Sequence, residues 1–311
     1  QRLAMVKFGG RGAVRFFSRN LSEVCIVAAA RTPIGGFNGS LASVPAAKLG
    51  AVAIRGALRR AGIPAEAVEQ VWMGNVVSSD LGQAPARQAA MEAGLPESAC
   101  CTTVNKVCSS GMKAIVLGAQ QIMLGHADVV VAGGMESMSN IPYYLPKARW
   151  GARMGDAQLV DGMVKDGLWD PYGNCHMGSY AELCAETHEI TREMQDAHAE
   201  ESYARSRAAH ADGLFADEIE PVVVCQRKGE LTVLTDDEPA AQKNPASDAR
   251  PAFKKKEGTV TAANASTISD GAAAVLLMSR AAADKFGVPV LARLAGHADA
   301  EQAPAWFTTA P

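Results

Sequence analysis

Short, continuous apolar runs alternate with Ala-rich stretches of helical period, and this constrains the fold most. "VCIVAAA" at 24–30, "VEQVWMGNVV" at 68–77, "ADVVVAGG" at 127–134 and "AAAVLLMS" at 272–279 have strand length and little internal alternation. Strands of that kind are buried on both faces. Between them lie "PAAKLGAVAIRGALRRAG", closing on Gly62, and "APARQAAMEAG", closing on Gly94, both with helix-stop signals. "SSGMKAIVLGAQQIMLG" places Met112, Ile115, Val116, Ala119, Ile122 and Met123 at one-face helical spacing. The pattern predicts an α/β fold: a mostly parallel sheet covered by helices on both sides.

After about residue 140 the period fades into a Gly-, Pro- and aromatic-rich stretch that reads as a long excursion. A charged helix is expected from Thr191 to about Gly213, then a strand pair in "IEPVVVC" and "ELTVLTDDE", and then a return to sheet character from about residue 259. "VLARLAGHADA" begins a further strand. The expected division is 1–22 as a leader, 23–140 as an α/β domain, 141–258 as an inserted loop domain, 259–290 as the return, and 291–311 as the start of a further domain cut short.

The bulk properties exclude some classes. A net charge of −3 gives no basic surface for nucleic acid. No apolar run reaches membrane-spanning length. The seven cysteines include no CxxC pair, so neither a zinc site nor a disulfide framework is indicated, and a reducing compartment is the simpler reading. The first residues differ in kind. Arg2, Lys7, Arg11, Arg15 and Arg19 precede any acid, which first appears at Glu23. That composition reads as a mitochondrial transit peptide. "RLAMVKFGG" lacks the ending of the peroxisomal N-terminal signal.

Cys108, in "VNKVCSSGMKAI", sits between a strand-like stretch and a helix start. Helix N-termini carry partial positive charge that favours an anionic nucleophile, and their N–H groups can hold an oxyanion. Gly111 would let the backbone approach a ligand. A buried structural thiol is the competing reading of the same context.

This stretch resembles the acyl-enzyme cysteine motif of the thiolases. "AARTPIGGFNGSL", "GQAPARQAA", "VAGGMESMS", "KDGLWD", "HMG" and "NASTISDGAAA" resemble further motifs of that family, in the family's order, from Val24 onward. The pattern is most similar to the acetoacetyl-CoA thiolases. The resemblance implies the thiolase fold, two similar α/β halves with a loop domain inserted in the first, of which this chain carries the first half and the insert. It implies an acyltransferase in which Cys108 takes the acetyl group of acetyl-CoA and a second acetyl-CoA condenses with it to acetoacetyl-CoA, or the reverse thiolysis. No cofactor is implied beyond CoA and acetyl-CoA as substrates.

By motif, Leu168 packs the pantetheine arm, His176 and Met177 line the thioester end, and Ser266 contacts a CoA amide beside Ala262 and Ala265. "SYARS" resembles the potassium-responsive mitochondrial branch, which implies a potassium site at Tyr203 with the carbonyls of Ala262, Ala263 and Ala265. The family's adenine-stacking cation would fall to Lys243. The family works as homodimers or homotetramers. Its activating Gly-His-Pro, its Asn-Glu-Ala-Phe and its second catalytic cysteine motif do not occur in these 311 residues. The chain as it stands is therefore expected to accept an acyl group without completing turnover. Two alternatives stay open: a 3-ketoacyl-CoA thiolase for longer chains, and a non-catalytic acyl-CoA-binding relative.

Overall fold

The computed structural model describes residues 22–225, 231–238, 250–254 and 256–311. The leader, apart from Ser22, and Lys243 lie outside the described residues.

The first half of the chain builds one sheet. Its strands are β1 (Val24–Arg31), β2 (Gly35–Gly36), β3 (Gln70–Gly74), β4 (Cys100–Val104) and β5 (Val129–Ser137). Helices α1 (Ala46–Ala61), α2 (Pro85–Glu92) and α3 (Ser110–Met123) alternate with them. Gly62 ends α1 at φ +66°, a left-handed value that glycine adopts without steric cost. The insert adds the short strands β6 (Tyr143–Tyr144), β7 (Val160–Asp161), β8 (Trp169–Asp170) and β9 (Cys175–His176). Helices α4 (Met177–Thr187) and α5 (Arg192–Ala211) and the antiparallel pair β10 (Val222–Cys225) and β11 (Leu231–Leu234) complete it. The chain rejoins the sheet as β12 (Ser269–Ser279), followed by α6 (Arg280–Phe286) and β13 (Ala292–Arg293).

The main sheet has the order β13-β1-β12-β5-β3-β4, with β2 beside the start of β12. β3 pairs parallel with β4 and β5, whereas β12 lies antiparallel between β1 and β5. The sheet is therefore mixed rather than mostly parallel. Within residues 291–311, Ala292–Arg293 extend this same sheet beside β1, and the short helix at Pro304–Thr309 packs on α4.

Both faces are covered, as the apolar runs require. Val129, Val131, Leu276 and Met278 point to the α1–α2 side with Ile54 and Ala89. Their neighbours Val130, Ala132 and Leu277 point to the α3 side with Ala119 and Ile122. Full burial of each large side chain stabilises by about 1.5–3 kcal/mol. α3 lies close to the sheet because small residues face it: a Cβ on Gly118 would meet Val130 at 3.0 Å. Its inner face is Ala114, Gly118, Ala119 and Ile122, while Met112, expected inside, is 73% exposed.

The antiparallel return sets the site. Because β12 runs against β5, Asp270 pairs with Ser137, and the start of β12 lies at the sheet edge where β5 ends. β3 and β4 end at that edge too, since both run parallel to β5. Residues entering β12 thus arrive where the chain leaves β4 for α3.

Candidate active site

β4 ends at Val104 and α3 begins at Ser110, so five residues make the turn that carries Cys108. The turn is tightly bonded. Ser110, 4% exposed, accepts a hydrogen bond from Lys106 N at 2.8 Å and donates one to Val107 O at 2.5 Å. Ser109 N and Ser110 N donate to the carbonyls of Lys106 and Val107. These two N–H groups, which an open helix end would leave free, are thus used inside the turn. Val107 takes φ +48°, a left-handed value unusual for a β-branched residue. Cys108 is exposed, and no described cysteine is bridged.

The close approach in this region is between helix and sheet. A Cβ on Gly74, the last residue of β3, would lie 2.6 Å from Gly111 N and from Ser110 C. A Cβ on Gly111 would meet nothing nearer than Gly133 O at 3.7 Å. Gly111, read from sequence as room for a ligand, therefore faces the sheet, and the position without room for a side chain is Gly74.

Cys108 opens into a cavity of about 1020 Å³. Leu168, His176, Met177, Ala262, Ala265 and Ser266, the residues singled out from sequence, line the same cavity. They come from three places. Leu168 ends a π-turn over Val164–Leu168, which Tyr144 anchors by donating to Asp166 at 2.6 Å. His176 and Met177 stand where the β8–β9 hairpin enters α4. Ala262, Ala265 and Ser266 lie on the segment that leads into β12.

That last segment is clamped from both helices of the insert. Glu182 of α4, 7% exposed, accepts from Thr259 N at 2.9 Å and Val260 N at 2.9 Å. Asn264 donates to Asp196 of α5 at 2.9 Å, and its carbonyl accepts from Thr261 N at 2.8 Å. Ala263 packs on Ala199 of α5 and does not line the cavity. Tyr203 lies one turn beyond Ala199 on that helix, also off the cavity.

His176 caps α4: its Nδ1 accepts from Gly178 N at 3.0 Å, and its ring stacks on Phe253 at 4.7 Å between centroids. Burial holds its pKa below the ordinary 6.5. The neutral ring with Nδ1 accepting carries its proton on Nε2, which is left to donate. In the same hairpin, Asp170 accepts from Tyr180 at 2.7 Å and from Gly173 N at 2.6 Å; the Tyr180 bond comes first in holding the carboxyl below its usual range.

Sequence reasoning missed part of the wall. Phe253, Val260, Phe307 and Thr308 are among the further residues of the largely apolar lining. Phe253 stands in an irregular stretch without period, and Phe307 lies well over 100 residues beyond Cys108, so neither carries a local signal. Among the described residues no cluster of His, Cys, Asp and Glu is arranged to hold a metal ion. No described helix is long and apolar enough to cross a membrane. The arrangement is an accessible thiol lining a large, mostly apolar cavity, which suits a thioester on a flexible arm.

The model of the family described as "Thiolase, N-terminal domain" matches residues 24–281. The chain belongs to the thiolase family. Acetyl-CoA acetyltransferase 2 of Arabidopsis thaliana is 56% identical to this thiolase chain, over 94% of this chain and 74% of the relative. The mitochondrial acetyl-CoA acetyltransferase of Bos taurus is 51% identical, over 94% and 69%. Among solved structures, the Acat5 thiolase from Ascaris suum, crystallised in complex with coenzyme A, matches with a TM-score of 0.87 at 42% identity. That match covers 93% of this chain and 74% of the other. The fold is the thiolase fold, with this chain's sheet, insert and return forming the matched part.

Proposed function

We propose that this protein is an acetyl-CoA C-acetyltransferase that joins two acetyl-CoA molecules into acetoacetyl-CoA, or cleaves acetoacetyl-CoA with CoA, with Cys108 as the acyl acceptor. The observation that carries the reading is the shared cavity. Cys108 lines it together with Leu168, His176, Met177, Ala262, Ala265 and Ser266, which come together only when the insert folds back on the sheet. Relatives at 56% and 51% identity bear the name acetyl-CoA acetyltransferase.

In the first half-reaction the Cys108 thiolate attacks the carbonyl carbon of acetyl-CoA. A new S–C bond forms, the C–S bond to CoA breaks, and CoA leaves as a thiolate that takes up a proton. One thioester replaces another, so the exchange is close to balanced and reversible. Leu168, with Phe253 beside it in the apolar wall, packs the pantetheine arm and Ser266 hydrogen-bonds to its amide, while Met177 and the His176 Nε2–H stand at the thioester end. In the second half-reaction an acetyl-CoA enolate attacks the acetyl-cysteine. Its α-proton goes to a base that the family carries in a motif absent from these 311 residues.

The finer readings are ours too. A potassium ion beside Tyr203 and the carbonyls of Ala262, Ala263 and Ala265 is supported by Ala263 packing on Ala199, which brings α5 to that segment. Assembly into a homodimer or homotetramer follows the family's habit. The mitochondrial address rests on the basic leader, since relatives carry both mitochondrial and cytosolic names.

Incubation with acetyl-CoA and peptide mass spectrometry test the central claim. One acetyl group is expected on the peptide holding Cys108. An adduct on another cysteine, or none where Cys108 is free and the chain folded, refutes it.

A further inference from the structure

Val107, directly before the nucleophile, holds a left-handed backbone that its β-branched side chain disfavours. Something must hold it there. Asn105 is placed to do so. Its Oδ1 accepts from Val107 N at 3.0 Å, closing an Asx turn. Its Nδ2 donates to Val76 O at 3.0 Å, on the loop after β3. Although Asn105 is exposed, both ends of its carboxamide are thus engaged with main chain rather than given to water alone.

The Val76 loop is itself fixed. Glu136, at the end of β5, accepts from Val76 N at 2.8 Å, from Val77 N at 3.3 Å and from Asn75 Nδ2 at 3.0 Å. Asn75, 1% exposed, is bonded to Val104 O through its N–H and to Met135 O through its side chain. A continuous path of hydrogen bonds therefore runs from β5 through the 75–77 loop and Asn105 to the residue that aims Cys108. Ser110 holds the other side of the same turn.

We propose that Asn105 is a positioning residue for the acyl-accepting cysteine: by tying Val107 N to the Val76 loop, it keeps Val107 left-handed and Cys108 directed into the cavity. The inference rests on Cys108 being the acyl acceptor, but it concerns the turn and can be tested without acyl transfer.

The test is the rate of iodoacetamide alkylation at Cys108, measured peptide by peptide and divided by the rate at Cys100, which is also exposed. A structural loss alone would not change this ratio selectively. Asn105→Ala is expected to slow Cys108 by about threefold to tenfold, the range of one neutral hydrogen bond. Asn105→Ser keeps an acceptor for Val107 N but loses the carboxamide donor to Val76 O, so its rate should fall between those of the parent and Asn105→Ala. Adding Val107→Gly to Asn105→Ala should restore most of the rate, because glycine takes the left-handed value without a clamp.

Parent-like alkylation of Asn105→Ala overturns the proposal. So does a loss that Val107→Gly leaves untouched. If Asn105→Ala does not fold, Asn105→Ser decides: a slowed Cys108 that Val107→Gly restores supports the proposal, and a parent-like rate, or a loss that Val107→Gly leaves untouched, overturns it. Acetylation by acetyl-CoA, followed in parallel, separates the two readings. A parent alkylated normally yet never acetylated refutes the acyl-transfer reading and leaves the positioning role standing.

Discussion

Replacing Gly74 by alanine should disturb the turn that carries Cys108, the proposed acyl acceptor, from the end of β3. The new Cβ would sit 2.6 Å from Gly111 N and Ser110 C and 2.8 Å from Ser110 Cβ. That falls about 0.8 Å short of the 3.4 Å at which ordinary contact begins. The atoms it meets are main chain of α3's first turn, which cannot swing aside as a flexible side chain would. Overpacking of this kind costs about 1–3 kcal/mol. A cooperative unit of this size loses roughly 2–4 °C in Tm per kcal/mol, so a fall of about 2–12 °C is expected. The helix must also move, carrying Ser110 and the Cys108 turn. Misplacing a reacting group by about 1 Å can cost on the order of 100-fold in rate, so acetylation of Cys108 should fall by tens-fold. Gly111→Ala is the control, because its Cβ meets nothing nearer than 3.7 Å. It should melt at or above the parent's Tm, since alanine is the better helix former by about 1 kcal/mol. Thermal melts by circular dichroism with single-turnover acetylation read both effects. A Gly74→Ala chain with the parent's Tm and rate, or a Gly111→Ala chain that loses more than Gly74→Ala, would refute the packing argument.

Other consequences can be checked directly. Cys108→Ala should abolish the acetyl adduct seen by mass spectrometry while leaving the melting temperature within a degree or so, because the exposed thiol packs against little. Ser266→Ala should weaken acyl-CoA use by roughly threefold to tenfold, measured as the acetyl-CoA concentration giving half-maximal acetylation, without unfolding the chain. His176 has a pKa lowered by burial from 6.5, so the unfolded chain takes up the proton first as pH falls. Its stabilising contribution is complete above 6.5 and declines as pH falls through that value towards the folded pKa. Urea melts from pH 7.5 to pH 5 should show this decline, and His176→Asn, which keeps a capping acceptor, should flatten it.

Much of this was legible locally. The alternating buried strands and Ala-rich helices, the stops at Gly62 and Gly94, and the Thr191 cap of α5 all follow from short-range signals. Cys108 at a strand-to-helix turn was readable for the same reason, since its placement depends on a few neighbouring residues. The direction of β12 was not. A run such as "AAAVLLMS", buried on both faces, carries no mark of whether it lies parallel or antiparallel, and its slot between β1 and β5 is settled by packing against α1 and α3 together. The outward turn of Met112 was hidden likewise, because helical period identifies a stripe but not which of two adjacent stripes meets the sheet; small residues at Ala114 and Gly118 decided it by allowing closer approach. Asn105 looked like any polar loop residue until Val76 O stood 3.0 Å from its amide. Local sequence thus set where Cys108 stands along the chain, between a strand end and a helix start. Tertiary structure alone set its surroundings, because Phe253 and Ser266 come to line one cavity with Cys108, and the 75–77 loop comes to bond Asn105, only through pairings and packing that join residues far apart in sequence.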